Sequence, residues 1–366
     1  MRIAIVGGSL GGLFAAALLR RAGHAVQVFE RSRTGLEGRG AGLVGQRDIF
    51  AILRAVGCEH VAHVGVVAEA RIFLDRSSAV IERHATPQMQ ISWDHLYRSF
   101  HEQLGEGEYR TGRAVIEVGQ GQASAWLTLD DGERVEAELL IGADGVGSVV
   151  RPAVTGSGER ARYAGYLAWR GLLPEADLPP KAAELLLDRF AFFDMPRSHM
   201  LGYVVAGPHG EMTPGQRRYN WVWYRPVQDL AAALTDRDGR VHEFSLAPGR
   251  VAGAAREAML AEARELLPEV FAQAIAAEPT PFIQAIFDYE APNMAKGRIA
   301  LLGDAAFVVR PHTAMGVSKA AGDAMALTAT LAEHPVSAAL PLYERERAPL
   351  NQAIAAHGRR LGRAFE

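Results

Sequence analysis

Three short stretches, far apart in this 366-residue chain, each join glycine to a carboxylate at the end of an apolar run. In the first, Gly7, Gly8, Gly11 and Gly12 follow the run 2–6, and Glu30 closes a second run, 25–29. A turn without Cβ atoms lets backbone N–H groups approach a pyrophosphate, and the N-terminus of the next helix adds partial positive charge. A carboxylate at the tip of the second strand suits a ribose diol. In the second stretch, LLIGADGVGSVVR over 139–151, Asp144 stands between small residues where a strand ends, placed for a ribityl or ribose hydroxyl, and Gly145 admits another backbone. Asp144 would serve equally well as an Asx turn capping a helix. In the third, Gly303-Asp304 ends an apolar strand, and Pro311-His312 leads to Gly316 and a helical run, 317–331. The start of that helix would be donor-rich and suits the N1–C2=O2 edge of a flavin ring, which gains negative charge on reduction.

These corners need particular elements behind them. Residues 2–6, 13–21 and 25–29 read as strand, helix and strand, with Gly23 where the helix stops. That unit has the size of a dinucleotide-binding βαβ fold. It departs from G-x-G-x-x-G at one place: Gly7 and Gly12 hold the first and third positions, and Ser9 holds the second. Residues 31–45 are glycine-rich and read as a loop, either closing over a cofactor or simply exposed. Helices are expected over 46–56, 92–104 and 251–267, and strands over 64–74 and 78–83. The stretches 115–119, 125–129 and 134–137 read as a meander, with Asp130-Asp131-Gly132 as one turn. Residues 163–223 alternate and are rich in aromatics, as in an antiparallel sheet whose ring-bearing face is either core or the wall of a pocket for a flat molecule. The segment 339–361 is a charged amphipathic helix.

Bulk properties exclude several classes. The formal charge is -3 and no long basic run occurs, which argues against nucleic acid as a partner. Cys58 is the single cysteine, so an internal disulfide and a multi-cysteine metal site are excluded, and no metal is expected. The first strand begins at residue 2, and no apolar run is long enough for a bilayer. A cytoplasmic protein without membrane association is expected.

Together the motifs resemble the single-component FAD-dependent aromatic hydroxylases of the para-hydroxybenzoate hydroxylase type, the group A flavoprotein monooxygenases. The likeness rests on Gly7–Gly12 with Glu30, on Asp144-Gly145 and on Gly303-Asp304 with Pro311 and Gly316, and it spans nearly the whole chain. A narrower likeness is to the dihydroxypyridine hydroxylase branch. It rests on the Gly-Gly-Ser turn, YAGYLAWRG at 163–171, PFIQAIFD at 281–288 and RPHTAMGVSKAAGDA at 310–324. The resemblance implies an α/β (α+β) fold: a Rossmann-like FAD-binding domain, an inserted antiparallel-sheet substrate domain and a C-terminal helix. It places the FAD-binding domain at 1–70, 95–160 and 280–366, and the substrate domain at 71–94 and 161–279. It implies bound FAD, held by Gly7, Ser9, Leu10, Gly12, Glu30, Arg31, Gly42, Asp144, Gly145, Gly303, Asp304, Pro311, Thr313, Ala314, Met315 and Gly316.

The implied reaction uses NADH or NADPH as a transient co-substrate, O2, and a small aromatic substrate such as a dihydroxypyridine, through a flavin C4a-hydroperoxide. A His or Tyr near the ring could take the proton of its hydroxyl, and the candidates are His312, Tyr203, His199 and Tyr224. Many relatives carry an R-x-x-L element at the flavin, where this chain has Trp93-Asp94-His95-Leu96, so either Trp93 packs there or Arg98 compensates. Trp221-Val222-Trp223 superficially resembles an element of flavin-dependent halogenases, but aromatics two apart are expected on any sheet face. Alternatives are the same chemistry on a urate-like, salicylate-like or phenolic ring, a redox-inactive flavin-binding module, and an NAD-dependent dehydrogenase. The last is opposed by the Gly303-Asp304 corner. Monomer and homodimer stay open.

Overall fold

The computed structural model describes residues 1–36, 42–156 and 158–365. Its two main sheets follow from two hydrophobic patterns. The near-continuous apolar runs Arg2–Val6, Ala25–Glu30 and Leu139–Gly142 pair in parallel, as strands covered on both faces do. With Tyr109–Thr111, Ile299–Leu301 and Ala295–Lys296 they make a six-stranded sheet. Leu10–Arg21 and Gly316–Glu333 pack on each other beside it, with Gly11 of the first against Ala320 of the second. The expected meander forms a separate three-stranded sheet, Val115–Gln120, Ala125–Leu129 and Arg134–Ala137.

The alternating, aromatic runs build a nine-stranded sheet, mostly antiparallel. Arg162–Pro174, Arg189–Met195, Ser198–Val205 and Arg218–Pro226 are its centre, and Phe282–Glu290 flanks Arg162–Pro174. One face is apolar: Trp221, Trp223, Tyr219 and Met200 pack on Gly253–Leu266 and Glu269–Ala277 through Met259, Phe271 and Ile275. This is where the Trp221-Val222-Trp223 pattern goes, into core. The other face carries Arg170, Tyr203, Asn220, Tyr224 and His199 and turns toward the nucleotide-sheet half.

Several elements differ from expectation. Helix Leu10–Arg21 starts three residues early, because Ser9 opens it directly from the glycine turn. Residues 64–74 split into Gly65–Ala68 and Ala70–Leu74, which join different sheets. Gln88–Ser92 was not anticipated; it pairs with Gly42–Val44 and Gly65–Ala68 in a small sheet bridging the two halves. Phe282–Glu290 hydrogen-bonds into the large sheet, although the motif-based division puts 280 onward with the nucleotide half. Part of the glycine-rich loop, 37–41, lies outside the described residues. Among the described residues no helix is long and apolar enough to cross a membrane.

Candidate active site

The three corners line one cleft of about 710 Å³ between the nucleotide sheet and the large sheet. Gly7, Ser9, Leu10, Glu30, Arg31, Gly42, Asp144, Gly145, Gly303, Asp304, Pro311 and Gly316 all face it. The first corner is fixed by missing Cβ atoms. Gly7 has φ +103°, and a Cβ there would lie 2.4 Å from the Ala143 carbonyl oxygen, so the first and second corners touch backbone to backbone. A Cβ on Gly12 would lie 1.9 Å from the Gly7 oxygen, so this residue packs helix against turn and stands behind the cleft wall. Ser9 begins the helix without a side-chain cap bond, which leaves its hydroxyl facing the cleft. Glu30 accepts from Gly8 N–H at 2.9 Å and Ser32 N–H at 2.7 Å and still lines the cleft. Tyr109 donates to the Gly8 carbonyl at 2.9 Å and braces the turn from below.

At the second corner Asp144 accepts from Ser148 Oγ at 2.6 Å and from the N–H of Val149 at 2.7 Å and Val150 at 3.2 Å. This is the Asx-type turn raised as its alternative use, formed on the cleft wall. Arg151, 3% exposed, then reaches the third corner. Its Nε donates to Ala305 O at 2.9 Å and Nη2 to Asp304 O at 3.1 Å, while Nη1 donates to Val146 O at 3.0 Å. The Tyr289 ring lies 3.9 Å beneath its guanidinium carbon. Gly303 takes φ +60° and donates its N–H to Asp323 Oδ2 at 3.1 Å. Asp323 is fully buried and also accepts from Arg347 at 2.9 Å and Asn351 at 3.0 Å, with Lys319 Nζ 3.6 Å away. Arg151, Lys319, Asp323 and Arg347 were not among the expected site residues. Arg151, Lys319 and Asp323 are signalled only as charges among small or apolar residues, and Arg347 lies in the charged run 344–347.

Beyond the third corner, Arg310 grips Asp288 with two bonds, 2.9 and 2.6 Å, tying the loop to the large sheet. Ala314 turns in the left-handed region, φ +54°, and its carbonyl accepts from Gln46 Nε2 at 2.9 Å. Thr313, Ala314 and Met315 shape this turn and are not on the cleft wall. Helix Gly316–Glu333 has no side-chain cap at its start, and Gly316 and Val317 present that start to the cleft. Trp93 lines the cleft, stacked on Tyr97 at 5.1 Å, whereas Arg98 does not line it.

The four proton-acceptor candidates sit behind this wall. His312 turns away from the cleft into a ring cluster. Its Nε2 bonds Tyr166 Oη at 2.8 Å, it stacks on Phe365 at 4.8 Å, and Tyr224 lies 4.4 Å away. Burial, with His199 and Arg310 nearby, pulls its pKa down to about 3, so the ring is neutral. His199 is paired with Asp194. Tyr203 donates to the Gly42 carbonyl at 2.9 Å, and burial pushes its phenol up to about 12. Burial likewise raises Tyr224. Both tyrosines stay protonated and can donate.

A relative over nearly the full length decides the family. 2,6-Dihydroxypyridine 3-monooxygenase of Paenarthrobacter nicotinovorans is 31% identical over 353 residues, covering 94% of this chain and 86% of that protein. The chain belongs to the FAD-dependent aromatic hydroxylases. The solved structure of 2,6-dihydroxypyridine-3-hydroxylase from Arthrobacter nicotinovorans superposes on all of this chain and 92% of its own, with a TM-score of 0.92 and 28% identity. 6-Hydroxynicotinate 3-monooxygenase of Bordetella bronchiseptica is 29% identical over 95% of this chain and 88% of its own. Family matches agree: an FAD binding domain at 250–357, an FAD binding domain-like region at 163–288 and an NAD(P)-binding Rossmann-like domain at 5–41.

Three outcomes are expected of this hydroxylase. Gly12→Val, which forces a side chain into the Gly7 carbonyl, abolishes FAD retention, read as the flavin-to-protein absorbance ratio after gel filtration. Asp323→Ala leaves two buried cations without their shared carboxylate, destabilises by about 3–5 kcal/mol and lowers Tm together with flavin content. The third concerns acid. A histidine whose folded pKa lies below its unfolded value stabilises fully above about 6.5 and loses that contribution as pH falls toward the folded value of about 3. His312→Phe therefore moves the acid-unfolding midpoint, followed by near-UV circular dichroism, to lower pH.

Proposed function

We propose that this hydroxylase uses NADH or NADPH and O2 to place a hydroxyl on an electron-rich heteroaromatic ring of the dihydroxypyridine kind. The observation that carries the reading is the convergence of three distant corners on one cleft with an uncapped helix start at its end. Bound FAD would accept hydride from the reduced pyridine nucleotide and activate O2. Gly7, Ser9 and the start of helix Leu10–Arg21 would hold its pyrophosphate, and Glu30 its ribose. Asp304 and Asp144 would flank the ribityl chain. The start of Gly316–Glu333 would take the ring edge that becomes negative on reduction, with Pro311 beside it.

The large sheet closes the reacting side and keeps water out. Arg170 is the cation of that face on the cleft wall and would orient an oxygen atom of the substrate. His312 is the neutral base closest in kind, and Tyr166 links it by one hydrogen bond to the sheet face. Proton removal from the substrate hydroxyl would run through Tyr166 to His312. The relative at 31% identity acts on a dihydroxypyridine, which supports a nitrogen ring.

The purified protein should be yellow, and in a panel of hydroxypyridines, hydroxybenzoates and urate, 2,6-dihydroxypyridine should give the greatest NAD(P)H oxidation coupled to hydroxylated product. Equal turnover across the panel, or NAD(P)H use without product, sinks the reading. His312→Ala should lower coupled hydroxylation by about 10²-fold with flavin content nearly intact.

A further inference from the structure

Arg170 stands half-buried on the wall of the cleft, and a neutral amide is what holds it. Its Nη1 donates to Gln284 Oε1 at 3.0 Å, and the Phe282 ring lies 5.6 Å from its guanidinium carbon. Among the described residues no carboxylate pairs with it, and its Nε is buried without a partner. Arg218, on the same face of the large sheet, shows the contrast: Asp94 neutralises it at 2.7 Å. Arg170 therefore keeps its charge for whatever enters the cleft.

The partner gives this corner its character. Gln284 lies on the neighbouring strand, directly across from Ala168 on one side and Ser245 on the other, and Arg170, Gln284, Phe282 and Ser245 all line the cleft. A guanidinium only donates, so the amide must turn its oxygen to Arg170 and its N–H2 away from it. Among the described residues nothing accepts from that N–H2, and the side chain is exposed. A glutamate here would close an ion pair and spend the charge. Glutamine fixes the guanidinium in place and adds a second, correctly turned donor beside it.

We propose that Gln284 is a specificity-determining residue: with Arg170 it forms a corner that only donates hydrogen bonds, and this corner recognises a ring oxygen of the substrate in its ionised form. This deepens the reading under Proposed function and rests on it. An oxyanion brings charge and acceptors and leaves no donor over. A neutral ring hydroxyl brings a proton for which neither side chain has an acceptor, and it leaves the guanidinium uncompensated. Hydrogen bonds to an ionised oxygen are about twice as strong as those to a neutral one, so the difference falls on affinity for the anion. The corner binds the anion and does not make it, since neither side chain takes a proton.

The test titrates the FAD-loaded, unreduced protein with 2,6-dihydroxypyridine and with resorcinol, which carries the same two oxygens on a ring that ionises far less readily. Binding is read from flavin absorbance at pH values on either side of the pyridine's first ionisation. Affinity for the pyridine should rise as it ionises and exceed that for resorcinol by about tenfold or more, with resorcinol indifferent to pH. Gln284→Glu should weaken pyridine binding about tenfold, abolish its rise with pH and leave resorcinol within about twofold. Gln284→Met, which leaves the Arg170 charge free, should keep the rise with pH and lose about threefold in affinity. Flavin content and Tm should stay near native in both, because the side chain is exposed. A native affinity that ignores the ionisation of the pyridine overturns the proposal, as does a Gln284→Glu protein with the native profile. Gln284→Glu that weakens NAD+ and spares the pyridine also overturns it, by assigning the corner to the nucleotide. Pyridine binding that follows the stated pattern without stimulating NAD(P)H oxidation upholds the corner and removes the hydroxylase reading instead.

Discussion

The Arg151 guanidinium is the interaction the site depends on. It spans two corners more than 150 residues apart in sequence, reaching Val146 and Gly145 on one side and Asp304 and Ala305 on the other. Burying a cation this deeply is unfavourable unless its donors are used. Here Nε and both terminal nitrogens find carbonyl oxygens, and the Tyr289 ring takes one face. Carbonyls suit this task better than a carboxylate would. They satisfy the guanidinium without cancelling its charge, so positive potential remains behind Asp144 and Asp304 where those acids face the cleft. The planar fork explains the residue type, because lysine has no rigid fan of donors with which to hold four carbonyls at once.

The two faces of the large sheet show how one scaffold separates stability from chemistry. Trp221, Trp223 and Tyr219 fill the helix-covered face completely. That layer anchors the strands without help from the cleft side, even though Tyr219 Oη and Trp221 Nε1 are themselves buried there without a partner, so the opposite face can also carry groups that lower stability. Arg170 and Asn220 are such groups: among the described residues Arg170 has no carboxylate partner and the Asn220 amide has no hydrogen-bond partner. Strand alternation makes the division automatic, since each residue aimed at the helices places its neighbours toward the cofactor half.

The corners were legible in the sequence because glycine at a close backbone approach has no substitute. Gly7 against Ala143 and Gly12 against Gly7 are sterically compulsory, and such positions leave a pattern. The parallel strands and the small helices between them were legible for the same kind of reason, through period and composition. What escaped was everything decided by side chains meeting across long separations. Arg151, Asp323 and Arg347 look in sequence like ordinary surface charges on helices, and only the fold places them inside. Gln88–Ser92 escaped because its alternation is masked by polar residues that are buried against Arg71 and Arg218. His312 follows Pro311 in the third corner, but which way its ring turns depends on Tyr166 and Phe365, which no local pattern reveals.

The protonation pattern constrains what this wall can do to a substrate. Burial raises the tyrosines at 166, 203 and 224 and lowers His312, so each of these four groups moves toward its neutral form. A neutral wall cannot abstract a proton from a weakly acidic phenol without creating a buried imidazolium. It can hold the oxyanion of a ring hydroxyl acidic enough to ionise by itself, provided that oxyanion lies near Arg170, which has no carboxylate partner among the described residues. Hydroxypyridines meet this condition, because the ring nitrogen and a second oxygen spread the negative charge. The electrostatics of the sheet therefore agrees with the proposed reading, in which the substrate is a heterocycle that ionises readily.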